Sequence, residues 1–461
     1  MTMWRQPVAS ITPCQQVRGA RPVRRLTHPL FILMAIMPIQ WVTLASVGPF
    51  SVKPPYLAAA LAILFALSGR SRLTSCFDVV GANAFWIIPF FFYLLVLWLA
   101  LYGSSAQNMG PRQGVYLLTV VALGGCLAVE RRLGSLLRWG AATGIIVFVV
   151  VIEVQARKVG LSWGPAIIRF LSSGDLDYMV YSFFRSAFNV GSPTGELTVG
   201  AAAKNEPAVW LMIAALLFRA GFGGKGNDRT GQAVFVTVLF LLVLLNTRSV
   251  LLVAVGSAAL AWLLKIKPLY PRHHAYWLLG ALGAAFVSLL LVQVLSSGAA
   301  IMETLQQRLS FDDASAGARL VQFVYAVEKI DQYPLLGSGY SEIGGHPVHN
   351  LFLSAWMHAG LPAFLLVLMF YLCLVGSWAF MLMRVTRDPE KWAIPLRFEW
   401  VATLPLTAFF RVWLSGDAGH LFMGEWIAVG AYIGIMLANQ NALRQLKISK
   451  MRRGASLKKG S

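Results

Sequence analysis

The chain has 461 residues, of which 57% are hydrophobic and 13% charged, with a mean hydropathy of +0.65. Soluble domains carry about a quarter of their residues charged, so this composition excludes an ordinary soluble enzyme and points to an integral membrane protein. The net charge of +20 comes from Lys and Arg beside apolar runs, where they meet anionic lipid, so no nucleic-acid partner is expected.

Apolar runs that could cross a ~30 Å hydrocarbon core recur along the chain. Residues 1–29 form a basic tail without the apolar centre of a cleavable leader. About twelve spans follow, at 30–48, 55–68, 84–102, 115–129, 139–152, 202–220, 232–246, 249–264, 275–295, 360–383, 399–414 and 421–438. Spans 55–68 and 139–152 are short for a crossing. None of these runs alternates as a barrel strand would, and lipid offers backbone groups no partner, so the spans read as helices. The expected organisation is a tail over 1–29, nine helices over 30–295 with an outer loop at 153–201, a large outer loop at 296–359, three helices over 360–439 and a basic tail over 440–461. The stretch from Lys447 to Lys459 reads as a disordered tail facing lipid.

Charge orients the bundle. With the N-terminus inside, the inner segments hold 27 of the 39 Lys and Arg and the outer ones 12. This is a positive-inside pattern with both termini cytoplasmic. The four cysteines, Cys14, Cys76, Cys126 and Cys373, form no CxxC pair and no disulfide framework.

Candidate chemistry therefore lies in the outer segments. Loop 153–201 carries Arg157, Lys158, Arg169, Asp175, Asp177 and Arg185, and its aromatic stretch after Asp177 suits a membrane surface. Arg157 and Lys158, beside Glu153, read as interfacial anchors. A short outer turn, Asn246-Thr-Arg-Ser, presents Arg248. Loop 296–359 carries Arg308, Asp312, Asp313, Arg319, Glu328, His346 and His349.

Arg319 opens an amphipathic stretch that reads as a helix against the bundle. Arg308 and Arg319 either pair with Asp312 and Asp313 or bind an anion; guanidinium matches phosphate as a bidentate fork. His349 precedes an apolar helix and follows the glycine-rich run Gly337-Ser-Gly339 and Gly344-Gly345. It reads as a general base, since neutral imidazole accepts a proton near neutral pH. His346 and His349 lack a clear third ligand, so no metal site is expected. A transporter should show ionisable residues in mid-span and often an internal repeat; these spans carry almost none in mid-helix, with Arg411 and Glu425 near ends. A purely structural scaffold gives no reason for His349 beside a glycine loop.

The run Tyr333-Pro-Leu-Leu-Gly-Ser-Gly, the pair His349-Asn350, and Gly360-Leu-Pro-Ala nine residues beyond that pair resemble the O-antigen ligase and polymerase superfamily. Ala363 stands where the motif ends in glycine, and His358 stands where an acidic residue is common. Asn246-Thr-Arg248-Ser resembles the family's Ser-Arg segment, and Lys204-Asn205-Glu206 its asparagine-bearing segment. The likeness covers about 200–384; before that it is one of topology only.

The resemblance implies an all-α integral membrane fold of the type C glycosyltransferase kind, with about twelve transmembrane helices and a large periplasmic loop. It implies a bacterial inner-membrane enzyme that needs no metal or other cofactor. The donor would be an oligosaccharide on undecaprenyl diphosphate. The acceptor would be a growing exopolysaccharide or O-antigen repeat, the leading expectation, or lipid A core in a ligase. Chain-length regulators, export proteins and membrane lipids are the further partners implied. By the same resemblance His349 is catalytic, Arg248, Arg319 and Arg308 bind diphosphate, and Asn350, His346, Gly337, Gly339 and Gly360 support them.

Overall fold

The structure is a computed structural model that describes residues 28–37, 45–47, 50–52, 54–104, 109–175, 178–184, 186–187, 202–222, 229–245, 247–265, 314–339, 348, 350–409 and 423–458. It is helical apart from one short hairpin. In chain order, α1 (Pro29–Ile36) leads to strands β1 (Ala45–Val47) and β2 (Phe50–Val52), paired antiparallel with Val47 opposite Phe50. Then come α2 (Pro54–Leu67), α3 (Arg70–Ala100), α4 (Met109–Ala128), α5 (Leu133–Arg157) and α6 (Trp163–Ser173). A π-helical turn at Tyr178–Phe184 precedes α7 (Ala202–Ala220), α8 (Arg229–Leu244) and α9 (Arg248–Lys265). The chain closes with α10 (Ala314–Gln332), α11 (Leu351–Arg387), the short α12 (Phe398–Val401) and α13 (Met423–Lys458).

Among the described residues, three helices, α3, α5 and α11, are long and apolar enough to cross a membrane by length and composition. The chain is a membrane protein. Several expected boundaries are corrected. Span 30–48 is not one helix: α1 ends at Ile36, and Ala45–Val47 is strand β1 of the hairpin. Span 139–152 is the middle of the 25-residue α5, long enough to cross. Span 84–102 begins fourteen residues earlier, in α3. Span 399–414 is broken, because α12 ends at Val401 and turns follow over 402–405. The tail from Lys447 is helical, since α13 continues unbroken to Lys458. Span 275–295 lies outside the described residues.

Packing explains the arrangement. Every residue of α7 from Ala208 to Leu216 is fully buried, which makes it the central helix; a helix apolar all round belongs inside. α3, α4, α11 and α13 form a second group. Phe90, Phe370 and Trp426 stack at centroid distances of 4.6–6.0 Å, and Trp426 Nε1 donates to Gln113 Oε1 at 2.8 Å. α13 approaches α4 through Gly430 and Gly434, spaced as GxxxG. A Cβ on Gly434 would lie 2.7 Å from the Gly124 carbonyl oxygen. Small residues permit such contacts where lipid supplies no hydrophobic drive between helices.

Polar contacts tie the helix ends. His28 Nε2 lies 3.5 Å from Glu130 Oε2, and Arg397 Nε donates to the Phe222 carbonyl at 3.0 Å. The backbone of Gly339 comes close to the Ala100 carbonyl.

Candidate functional site

The site is built on α10 and the first nine residues of α11. Asn350 is the N-cap of α11: its Oδ1 accepts from Phe352 N at 3.0 Å and Leu353 N at 3.1 Å. Asparagine is favoured there because it satisfies donors the helix leaves open. α11 breaks at Gly360, whose φ of 75° and ψ of −172° are open essentially to glycine alone. The segment Leu351–Ala359 is therefore a separate short helix ahead of the long apolar one.

The glycine loop is stapled into that break. Gly337 and Gly339 also have positive φ, at 75° and 72°. Ser338 N and Oγ both donate to the Met357 carbonyl, at 2.7 and 3.0 Å. Gly339 N donates to the His358 carbonyl at 3.2 Å and Leu361 N to the Pro334 carbonyl at 3.0 Å. Trp356 Nε1 reaches the same Pro334 oxygen at 2.9 Å. His358, 1% exposed, lies with Nδ1 2.8 Å from the Gly339 carbonyl oxygen; a carbonyl can only accept, so Nδ1 carries the proton. The two glycines interlock. A Cβ on Gly337 would lie 2.6 Å from Ala359 N and Gly360 N, and one on Gly360 would run into the Leu335 carbonyl.

α10 docks on the other side of the short helix. Ala326, Val348 and Met357 form a small buried cluster, with Phe323, Ile330 and Leu353 packed against it. Val348 and Asn350, the sequence neighbours of position 349, are thus both held by the short helix or its docked partner. Arg319 is the sixth residue of α10, not its first as the sequence suggested; the helix begins at Ala314. It stands two turns before Ala326 along the helix. Arg248 is the first residue of α9. His349, His346 and Arg308 lie outside the described residues.

Residues 233–368 match the O-antigen ligase family. That match spans α8 to the upper part of α11, and so takes in the glycine loop, Asn350 and the break at Gly360. It bears out the superfamily resemblance and supports an enzyme of the O-antigen ligase and polymerase type. No curated protein matches the chain.

Among the arginines of 153–201, Arg157 Nε donates to Glu153 Oε1 at 2.6 Å. Arg169 binds Asp175 at 2.8 Å and covers the Tyr178 ring at 4.2 Å. Bonds from Tyr178 N and from Arg169 hold the Asp175 carboxyl below its ordinary range. These two arginines are occupied by structure. Sequence reading passed over Ser338, Trp356 and Met357, and recorded His358 only as a departure from the motif. Gly-Leu-Pro was the visible signal of a break at Gly360.

Proposed function

We propose that the chain is a glycosyltransferase of the bacterial inner membrane, of the type C fold with about twelve spans and both termini cytoplasmic. It moves a saccharide from undecaprenyl diphosphate to a sugar hydroxyl on the periplasmic side. The observation that carries this reading is the Asn350-capped short helix. That helix, with its cap, starts directly after position 349 in the sequence, and the Arg319-bearing α10 docks beside it, which supports the reading.

In this mechanism the hydroxyl oxygen of the acceptor attacks the anomeric carbon of the donor, and the imidazole of His349 takes its proton. The bond from that carbon to the diphosphate oxygen breaks, and undecaprenyl diphosphate leaves with the electron pair. Diphosphate is a good leaving group, so the main need is charge stabilisation. Arg248, Arg319 and Arg308 supply it. At ~4 Å and an effective dielectric of ~20, each guanidinium–phosphate contact is worth ~4 kcal/mol before desolvation, so two or three can act without a divalent ion. Polymerisation of exopolysaccharide or O-antigen repeats is the leading assignment. Ligation to lipid A core is the second, favoured by the family match itself.

The test is turnover of purified protein with a lipid-diphosphate oligosaccharide, with and without core acceptor, in excess EDTA. Chain extension without added core supports the polymerase; transfer only to core supports the ligase. Loss of turnover in EDTA, rescued by magnesium, manganese or calcium, would overturn the arginine-only mechanism. Transport of the donor without transfer would overturn the enzyme.

A further inference from the structure

We propose that His358 is a positioning residue for the reaction. Through its bond to the Gly339 carbonyl it locks the glycine loop to the short helix of α11, against which the residues flanking position 349, Val348 and Asn350, are held. The inference rests on the role proposed above for His349.

Residues 339 and 358 bind each other twice. Gly339 N donates to the His358 carbonyl, and His358 Nδ1 donates to the Gly339 carbonyl. Both glycines of the loop hold positive φ, so its shape is kept by bonds to α11 rather than by backbone preference. His358 supplies a side-chain bond to the Gly339 end of this loop, in a buried place where water does not compete. Next to it, Met357 faces both ways: its carbonyl takes both Ser338 bonds, and its side chain packs on Val348 and Ala326. Loop, short helix, α10 and the residues flanking 349 therefore share one reference segment. Losing the His358 ring bond loosens the loop's hold on the segment that contains Met357, against which Val348 packs.

The substitutions His358→Asn, His358→Leu and His358→Asp separate donor chemistry from bulk. Asparagine places an N–H where Nδ1 stands; leucine has no donor; an ionised aspartate opposes the Gly339 carbonyl. Three readouts are taken: kcat and KM for transfer, amide exchange of peptides covering 333–339, and the rate at which diethyl pyrocarbonate modifies His349. His358→Leu and His358→Asp should lower kcat on the order of 100-fold, the scale of a ~1 Å misplacement, with KM within about twofold. They should also speed loop exchange and alter His349 modification. His358→Asn should stay close to the native protein in all three. Native kcat and native His349 reactivity in His358→Leu would overturn the inference, as would His358→Asn behaving like His358→Leu. If the native protein transfers no sugar, the proposed function fails on its own. The His349 modification rates then decide the positioning role alone.

Discussion

Substituting Gly360 by alanine tests whether the break in α11 is a joint that the loop requires. The φ of 75° and ψ of −172° cost an L-residue about 1–3 kcal/mol. The added Cβ meets backbone on the other side, the Leu335 carbonyl carbon at 2.5 Å and Gly337 N at 2.8 Å, so a flexible side chain cannot swing clear. The loop must part from α11. That endangers the bonds from Ser338 N, Gly339 N and Leu361 N, at ~1 kcal/mol each. The two costs overlap, and about 3–5 kcal/mol is expected in all. Gly376 in the same helix is the control: a Cβ there meets nothing within 4 Å, and alanine should help slightly by helix propensity. Thermal unfolding in detergent can be followed by a thiol-reactive dye reaching the buried Cys76 and Cys126. Gly337→Ala should match Gly360→Ala, and the double variant should add little, because both break one contact. A Gly360→Ala protein within ~1 kcal/mol of Gly376→Ala would refute the interlocked joint.

Three further outcomes are expected. His349→Ala should abolish transfer while leaving the unfolding transition intact, and His346→Ala should be milder; equal losses restored by added zinc would mean a metal site instead. Arg319→Lys should lose most activity at saturating donor and Arg248→Lys much of it, because lysine keeps the charge without the fork; full activity in Arg319→Lys would leave charge alone as its role. The Glu130 carboxyl is held below its ordinary range, first by the bond with His28 and then by Arg132 N, against the opposing effect of burial. Its contribution is complete above the ordinary carboxylate pKa and is lost as pH falls through the lowered value. Glu130→Gln should therefore lower the melting point at pH 7 and flatten its fall in acid, and an unchanged acid profile would show that the pair adds nothing.

Apolar runs made the helices readable. α2, α7, α8 and α9 lie within about three residues of their expected bounds, because lipid-facing and core-facing helices share one composition and only their ends need finding. The hairpin at 45–52 was missed although Gly48-Pro49 is a turn signal, because the apolar run before it was carried through to 48. α13 was cut short for the opposite reason. Charge marked a tail after 440, yet Ala442, Leu443, Arg444, Gln445 and Leu446 are good helix formers. In the site, the Asn350 cap and the glycines could be read locally. The clasp could not, because Gly337 and Gly360 are 23 residues apart and their fit depends on two backbone conformations meeting. Arg319 was misplaced within its helix because Ala314–Ala318 carries little pattern to mark a start.

The continuous α13 also changes what the basic end of the chain can do. A coil lets each lysine fold back onto the headgroups. Along a helix each residue advances ~1.5 Å, so Lys458 stands ~16 Å beyond Lys447 on the axis. The Debye length in cells is ~8 Å. Where the axis runs away from the bilayer, Arg444 and Lys447 sit inside the surface potential of the lipid, while the last basic residues stand about two Debye lengths out. Their charge is then displayed to the solution and to whatever acidic surface approaches from it, and the hold on the membrane falls to the first turns.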